Sequence, residues 1–452
     1  MTTLVAGIDS STQSCKVVVC DAETGRVVRQ GRAAHPDGTS VHPQRWWEAV
    51  EQAVEGGLLD GVTALAVGGQ QHGMVALDEN DQVIRDALLW NDTRSAPDAA
   101  DLVEEWGGPA VWAEEMGVVP VASFTVSKVR WLARCEPESA DRVARVVLPH
   151  DWLTGTILKA YGGFEQWTTD RGDASGTGYW SSLDGDYRPD IMHHALGREF
   201  EAPTVLSARG VAGTTFGGML LAAGTGDNMG AALGLGVQPG DVVVSLGTSG
   251  TVFSVSDVRA NDPSGMVAGF ADATGAYLPL VCTLNAARVL TAAASMLGVE
   301  LSQVDDLALA AEPGAEGLSL LPYLDGERTP NLPESTGTLS GMTRANATPE
   351  NVARAAVEGM LLNLRGGVDA LRQQGAEVSR VLLIGGASAS RAVQAIAPSI
   401  FGVPVTVPKP GEYVGLGAAK QAAWALAGSE DPPQWPLELA SETNASAETE
   451  DS

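Results

Sequence analysis

Two aspartates in this 452-residue sequence stand in turns whose composition could do chemistry. Asp9 opens the run Asp9-Ser10-Ser11-Thr12-Gln13-Ser14, which follows an apolar stretch at 4–8 and precedes Lys16 and a second apolar stretch ending at Cys20. Successive backbone N–H groups and hydroxyls in such a turn form an anion-binding nest, and a carboxylate beside it can hold the Mg2+ that accompanies a nucleotide. The same residues also make an ordinary hairpin turn capped by Asp and Ser side chains, so the local sequence leaves both readings open. Asp227 lies in Gly224-Thr225-Gly226-Asp227-Asn228. A carboxylate among glycines is accessible and suits a general base that takes a proton from a hydroxyl, or it stabilises its own loop by Asx hydrogen bonds.

Three further turns carry related signals. Gly69-Gln70-Gln71-His72-Gly73 sets two amides and an imidazole after the short apolar run 65–67. Hydrogen-bonding side chains at the carboxyl end of a strand fit recognition of a polyhydroxylated ligand. Gly247-Thr248-Ser249-Gly250 repeats the dual character of the first turn. Gly385-Gly386-Ala387-Ser388 follows the apolar run 380–384 and would let a ligand approach the backbone closely. Neither a Walker-type loop nor a dinucleotide fingerprint occurs, so a nucleotide bound here obeys another fold's rules.

The elements that must position these turns follow from periodicity. The chain opens as strand, polar turn, strand, and the pattern recurs at 242–255 across Gly247–Gly250. Two such units more than two hundred residues apart suggest a duplicated architecture. Pro43 begins a helix with Trp46, Trp47, Val50 and Val54 on one stripe, and Val352, Ala355, Ala356, Met360 and Leu364 stripe a second helix over 351–364. Strands alternating with helices predict an α/β protein with covered sheets. From about Ser429 the chain turns Pro-rich and then acidic, which predicts a disordered tail over 429–452.

Length and charge narrow the function classes. A chain this long is expected to divide into two or three domains, and 44% apolar residues supply large cores. The net charge of -28 repels nucleic acid and anionic lipid, so neither is expected as a partner. Phosphorylated ligands must then be held by local dipoles, a metal ion and a few cations. Cys15, Cys20, Cys135 and Cys282 include no Cys-x-x-Cys pair and are expected to be reduced, packed thiols. With neither a basic-then-apolar N-terminal stretch nor an apolar run long enough for a membrane span, a soluble cytoplasmic protein is expected.

Taken together the segments resemble one family. From Val5 to about Ala427 the chain is similar to the FGGY carbohydrate kinases, two-domain members of the actin-like (ribonuclease H-like) ATPase superfamily. Gly7-Ile8-Asp9 matches the family's first phosphate segment, and Ala122–Leu132 with Lys128 and Trp131 resembles its first signature. Gly337, Leu339, Gly341, Asn351, Ala355 and Glu358 fall at the spacing of the second signature, and LPYLDGERTP at Leu321–Pro330 is typical of the family. The resemblance implies two such domains, 1–237 and 238–428, with a cleft between them, and transfer of a phosphoryl group from ATP, with Mg2+, to a sugar. GQQHGM at Gly69–Met74 and LLWNDTR at Leu88–Arg94 point within the family to D-xylulose, with another ketose, a polyol or gluconate as the alternative. On this likeness Asp227 is the proton acceptor, and Gln71, His72, Asn91 and Asn228 contact the sugar. Asp9 holds the metal, and Ser11, Thr12, Gln13 and Lys16 join Gly247, Thr248 and Ser249 in cradling phosphates. Gly385, Gly386, Ala387 and Gly415 border the adenosine, and a homodimer is implied by likeness alone. Two positions depart from the family pattern: Ser11 replaces a common glycine, and Ala387 replaces the third glycine of a run. Both are tolerable where φ stays negative.

Overall fold

The computed structural model describes residues 2–444 and is the α/β protein that the alternation of strands and helices predicts. Two compact units comprise it, and each is described by itself. Unit 1 contains 1–236, Arg259–Leu278 and Glu412–Pro436; unit 2 contains Val237–Val258, Pro279–Gly411 and the chain from Leu437. These units are discontinuous in sequence where a continuous split at 237/238 is expected: the helix Tyr413–Ala427 packs with unit 1, not with the segment that precedes it.

Unit 1 is built on a mixed sheet. Strand Leu4–Ser10 pairs antiparallel with Ser14–Asp21, which pairs antiparallel with Val27–Ala34, and on its other side it pairs parallel with Val62–Gly69. Period-two alternation sends neighbouring residues to opposite faces. Ala6, Ile8, Val17, Val19, Leu65 and Val67 join a core with Trp46 and Val50 of the helix Gln44–Ala53. Val5, Val18, Cys20, Ala64 and Ala66 face the other way, onto Ala418, Ala419, Ala422 and Ala423. Both faces are therefore apolar, which is why these strands read as continuous hydrophobic runs. The helix lies unusually close to its sheet. A Cβ on Gly7 would stand 1.9 Å from the Gly415 carbonyl oxygen, so only glycine fits.

Unit 2 repeats the pairing pattern. Asp241–Leu246 pairs antiparallel with Gly250–Ser254, which pairs antiparallel with Leu280–Thr283 of the strand Tyr277–Thr283, while Arg380–Ile384 joins Asp241–Leu246 in parallel. The senses match those of the first sheet strand for strand, so the duplication inferred from two strand–turn–strand units is present in the fold. The helix Pro349–Gln373 is longer at both ends than the stripe at 351–364 predicts. Thr348 caps it by accepting from the Asn351 N–H, and its buried side continues through Val368 and Leu371. The buried carboxylate of Glu327, within LPYLDGERTP, accepts from the Leu284 and Arg328 amides and from Asn285 and Asn363. It thereby fastens a long loop to two elements of its unit.

Residues 429–444 are ordered, which corrects the expected disorder. Trp435 packs on Gly25 and donates to the Ala22 carbonyl, and Leu439–Thr443 adds an antiparallel edge strand to Val405–Pro408. Backbone pairing at a free sheet edge needs little side-chain hydrophobicity, so composition alone misses it. The rest of the acidic stretch, 445–452, lies outside the described residues. Cys15 and Cys20 are buried as expected, whereas Cys135 is exposed. Among the described residues no helix is long and apolar enough to cross a membrane.

Candidate active site

Strand register brings three of the predicted turns of unit 1 to one end of its sheet. Ser10 pairs with Gly69, and on the opposite side of the same strand Gly226 also pairs with Gly69. The 9–14 turn, the 69–73 turn and Asp227 therefore leave the sheet side by side, from strands whose carboxyl ends point the same way. This is where ligands bind in open α/β sheets.

At this end Asp227 begins the helix Asp227–Leu235. Its Oδ1 accepts two hydrogen bonds of 2.8 Å, from the Asn228 backbone N–H and from Asn228 Nδ2. Asn228 Nδ2 also donates to Gln71 Oε1 at 3.2 Å, so base candidate and sugar-side turn form one bonded run. Gln71 is 4% exposed, and its Nε2 has no partner. Burial, and then the negative charge of Asp9, push the Asp227 carboxyl up to about 7, against the pull of the Asn228 bonds. A carboxylate poised there can exchange a proton near neutral pH.

His72 has φ of 67°, a left-handed backbone that turns its ring inward. Nδ1 lies 2.6 Å from the Gly176 carbonyl oxygen, which can only accept, so Nδ1 carries the proton. The ring packs against Phe124 and Phe270. Asn91 is half-buried, and its Oδ1 is a buried acceptor without a partner.

Asp9 is 3% exposed; Oδ2 faces Lys16 Nζ at 3.4 Å, and Oδ1 has no partner. Burial raises its pKa to about 6, against the attraction of Lys16. Lys16 also pairs with Glu412 at 2.7 Å, and although burial opposes its charge, the two carboxylates hold its pKa above the ordinary value. Ser11 donates its hydroxyl to the Ser14 carbonyl, Thr12 Oγ1 accepts from Trp90 Nε1, and Gln13 is exposed. A buried, partnerless carboxylate oxygen at the mouth of a hydroxyl-rich turn fits a hard cation such as Mg2+.

In unit 2 the parallel pairing Ser245↔Ile384 carries two more turns to a common sheet edge. Thr248 is exposed, Gly247 and Ser249 are half-buried, and the Thr248 carbonyl accepts from Arg288 Nε. Gly385 has φ of 89°, and a Cβ there would meet Leu246 backbone at 2.7 Å, so glycine is required. Ala387 and Ser11 are absent from the positive-φ residues, which removes the steric objection to both departures. Gly386 is exposed and Ala387 half-buried. Gly415, expected beside the adenosine, is buried in unit 1, where a Cβ would meet the Val18 side chain at 3.2 Å and the Gly7 carbonyl oxygen at 3.7 Å.

Residues 4–234 match the N-terminal domain of the FGGY family of carbohydrate kinases, and 242–426 match its C-terminal domain. The chain belongs to the FGGY carbohydrate kinases. It is 46% identical to a xylulose kinase of Streptomyces rubiginosus over 95% of this chain and 89% of that one. To a xylulose kinase of Escherichia coli it is 33% identical, over 92% and 89%. The crystal structure of xylulose kinase from Bifidobacterium adolescentis superposes with a TM-score of 0.91 at 47% identity, covering 98% of this chain and 96% of that one. These matches bear out the two-domain actin-like architecture.

Several residues of this FGGY kinase's site were not singled out by sequence. Gln70, one of the two amides read in the 69–73 turn but not assigned to the sugar, is 1% exposed with both amide atoms unpartnered. Glu412, the second partner of Lys16, and Phe270 and Gly176, which hold His72, are brought in from distant segments. No local signal marks them.

Proposed function

We propose that this FGGY kinase transfers the γ-phosphoryl group of ATP to the terminal hydroxyl of D-xylulose, giving D-xylulose 5-phosphate and ADP. The observation that carries the reading is the bonded run Gln71–Asn228–Asp227, which couples a sugar-binding amide to a base whose pKa lies near neutrality. Similarity to xylulose kinases over nearly the whole chain selects the sugar.

With Oδ1 fixed by Asn228, Asp227 Oδ2 takes the hydroxyl proton as that oxygen attacks phosphorus in line. Phosphoryl transfer passes through a loose transition state, so positioning and charge stabilisation matter more than forced deprotonation. Gln71 Nε2 offers a donor and Asn91 Oδ1 an acceptor to the sugar hydroxyls, with His72 beside them; leaving the Gln71 and Asn91 atoms unmatched costs free energy that the correct sugar recovers. The hydroxyls and amides of 11–13 with Lys16, and in unit 2 the turn 247–249, cradle phosphates, while 385–387 borders the nucleoside. Asp9 would hold Mg2+, which would supply positive charge to the phosphates. The enzyme works in the cytoplasm, where ATP is available, as a homodimer by family likeness.

The test is ADP release with Mg·ATP across ketoses, polyols and gluconate. Expected is a clear preference in kcat/KM for D-xylulose. Preference for another member overturns the sugar, and silence across the panel with sugar binding intact overturns the kinase reading in favour of a sensor.

A further inference from the structure

Behind the acceptor site lies a fully buried cluster that the mechanism does not use. His150 Nε2 faces three carboxylate oxygens, Asp170 Oδ1 at 3.1 Å, Asp173 Oδ2 at 3.2 Å and Asp151 Oδ1 at 3.3 Å. His150, Asp151 and Asp173 are 0% exposed and Asp170 is 2% exposed, and among the described residues no lysine or arginine pairs with any of them. The ring is wedged between two functional turns. A Cβ on Gly69 would stand 2.9 Å from His150 Cβ, and one on Gly224 would stand 2.5 Å from His150 Nδ1. Gly69 leads into Gln71 and His72, and Gly224 leads into Asp227. The third arm is the short helix Arg171–Ser175. Asp170 caps its start by accepting from the Gly172 and Asp173 amides, and Gly176 at its end holds His72.

We propose that His150 is the positioning residue of the acceptor site, a buried imidazolium that packs against the 69–72 and 224–228 turns and ties them, through its hydrogen bond to Asp170, to the 171–176 segment. The proposal rests on the roles given above to Gln71, His72 and Asp227. Burial raises the Asp151 carboxyl to about 6 and, with its acidic neighbours, the Asp173 carboxyl well above the ordinary value, yet any charge this cluster keeps would stand uncompensated beside a neutral ring, at a large desolvation cost. An imidazolium supplies the missing positive charge, and the carboxylates accordingly draw the His150 pKa up to about 10 although burial alone opposes it. A metal ion in the same place is disfavoured by two features. Metal-bound imidazoles almost always donate their second ring N–H to an acceptor, and His150 Nδ1 has none. Both oxygens of Asp170 are also already engaged by backbone amides.

His150→Gln removes the charge while keeping a hydrogen-bonding side chain. The expected result is a kcat/KM for D-xylulose lower by about 10²-fold, weaker sugar binding by calorimetry, and an unchanged KM for Mg·ATP. His150→Lys, whose ammonium offers three donors to three carboxylates, should recover most of the loss. Should the Gln variant fail to fold, Asp170→Asn keeps one of the two cap acceptors while withdrawing one charge partner, and it should shift the sugar parameters the same way. Wild-type kcat/KM in the Gln or Asn variant overturns the proposal, as does a Lys variant no better than Gln. Lost thermal stability with normal kinetics, or a stoichiometric transition metal in the purified enzyme, overturns it too. These readouts separate it from the base assignment, because Asp227→Asn should lose turnover while keeping sugar binding.

Discussion

Asn228 donates twice to the same oxygen of Asp227, once from its backbone N–H and once from Nδ2, both at 2.8 Å. The arrangement fixes the carboxylate's rotation, leaves Oδ2 for the acceptor hydroxyl, and moderates a pKa that burial raises. Asn228→Ala keeps the backbone bond but loses the amide and its link to Gln71. We expect kcat/KM to fall by about 10²-fold. Because a bond that lowers the pKa has gone, the acid limb of the kcat/KM profile should move to higher pH. A profile unmoved from wild type would separate Asn228 from the titration of Asp227.

Lys16 keeps Asp9 more acidic than burial alone would allow. In Lys16→Met that attraction is lost, so the Asp9 pKa rises above about 6 and more of the enzyme carries a neutral Asp9 near neutrality. The predicted consequence is a higher Mg2+ concentration for half-maximal activity at pH 7, with the difference narrowing as pH increases. Titrations of Mg2+ at two pH values check it, and equal requirements in both proteins would detach Asp9 from the metal.

How far the sequence reached depends on distance along the chain. Turns made of neighbouring residues were legible: Asp9–Ser14, Gly69–Gly73 and Asp227–Asn228 carry their chemistry in consecutive letters, and the strands beside them are apolar on both faces. The His150 cluster was not, because Asp170 and Asp173 come from a different stretch and the His150-Asp151 pair in a helix is unremarkable locally. Gly7 shows the complementary limit: a glycine needed for close packing looks like any other in sequence, and only the structure shows that a Cβ on Gly7 would stand 1.9 Å from the Gly415 carbonyl oxygen. The 439–443 strand was missed because edge pairing is carried by backbone amides, to which composition is blind.

Close packing of the Tyr413–Ala427 helix can be tested directly. A Cβ on Gly417 would lie 1.8 Å from the Gly230 carbonyl oxygen, a backbone atom of the helix that begins with Asp227. Gly417→Ala should therefore destabilise by about 3 kcal/mol or more, since backbone cannot step aside. The comparison is Gly366→Ala in the helix Pro349–Gln373, where a Cβ meets nothing within 4 Å; it should stabilise by about 0.5–1 kcal/mol. Urea denaturation of both variants measures the contrast, and a Gly417→Ala protein as stable as wild type would contradict the packing.

Asp227→Asn should separate catalysis from stability. Without an ionisable carboxylate, kcat should fall by about 10²–10⁴-fold, with sugar and ATP still bound. Stability should move the other way. The folded pKa of about 7 lies above the ordinary 3.8, so the folded state holds this proton more tightly than the unfolded chain does. The Asp227 contribution to stability is then fully present below the ordinary value and is lost as pH rises through about 7. Above that the folded enzyme carries a buried charge that the Asn variant lacks. Asp227→Asn should consequently melt at a higher temperature than wild type at pH 8, and the gap should close towards pH 4, where both side chains are neutral. An Asn variant that melts lower at pH 8 would show that the charge is stabilised by its surroundings, and Asp227 would then lack the raised proton affinity that suits a base working near neutral pH.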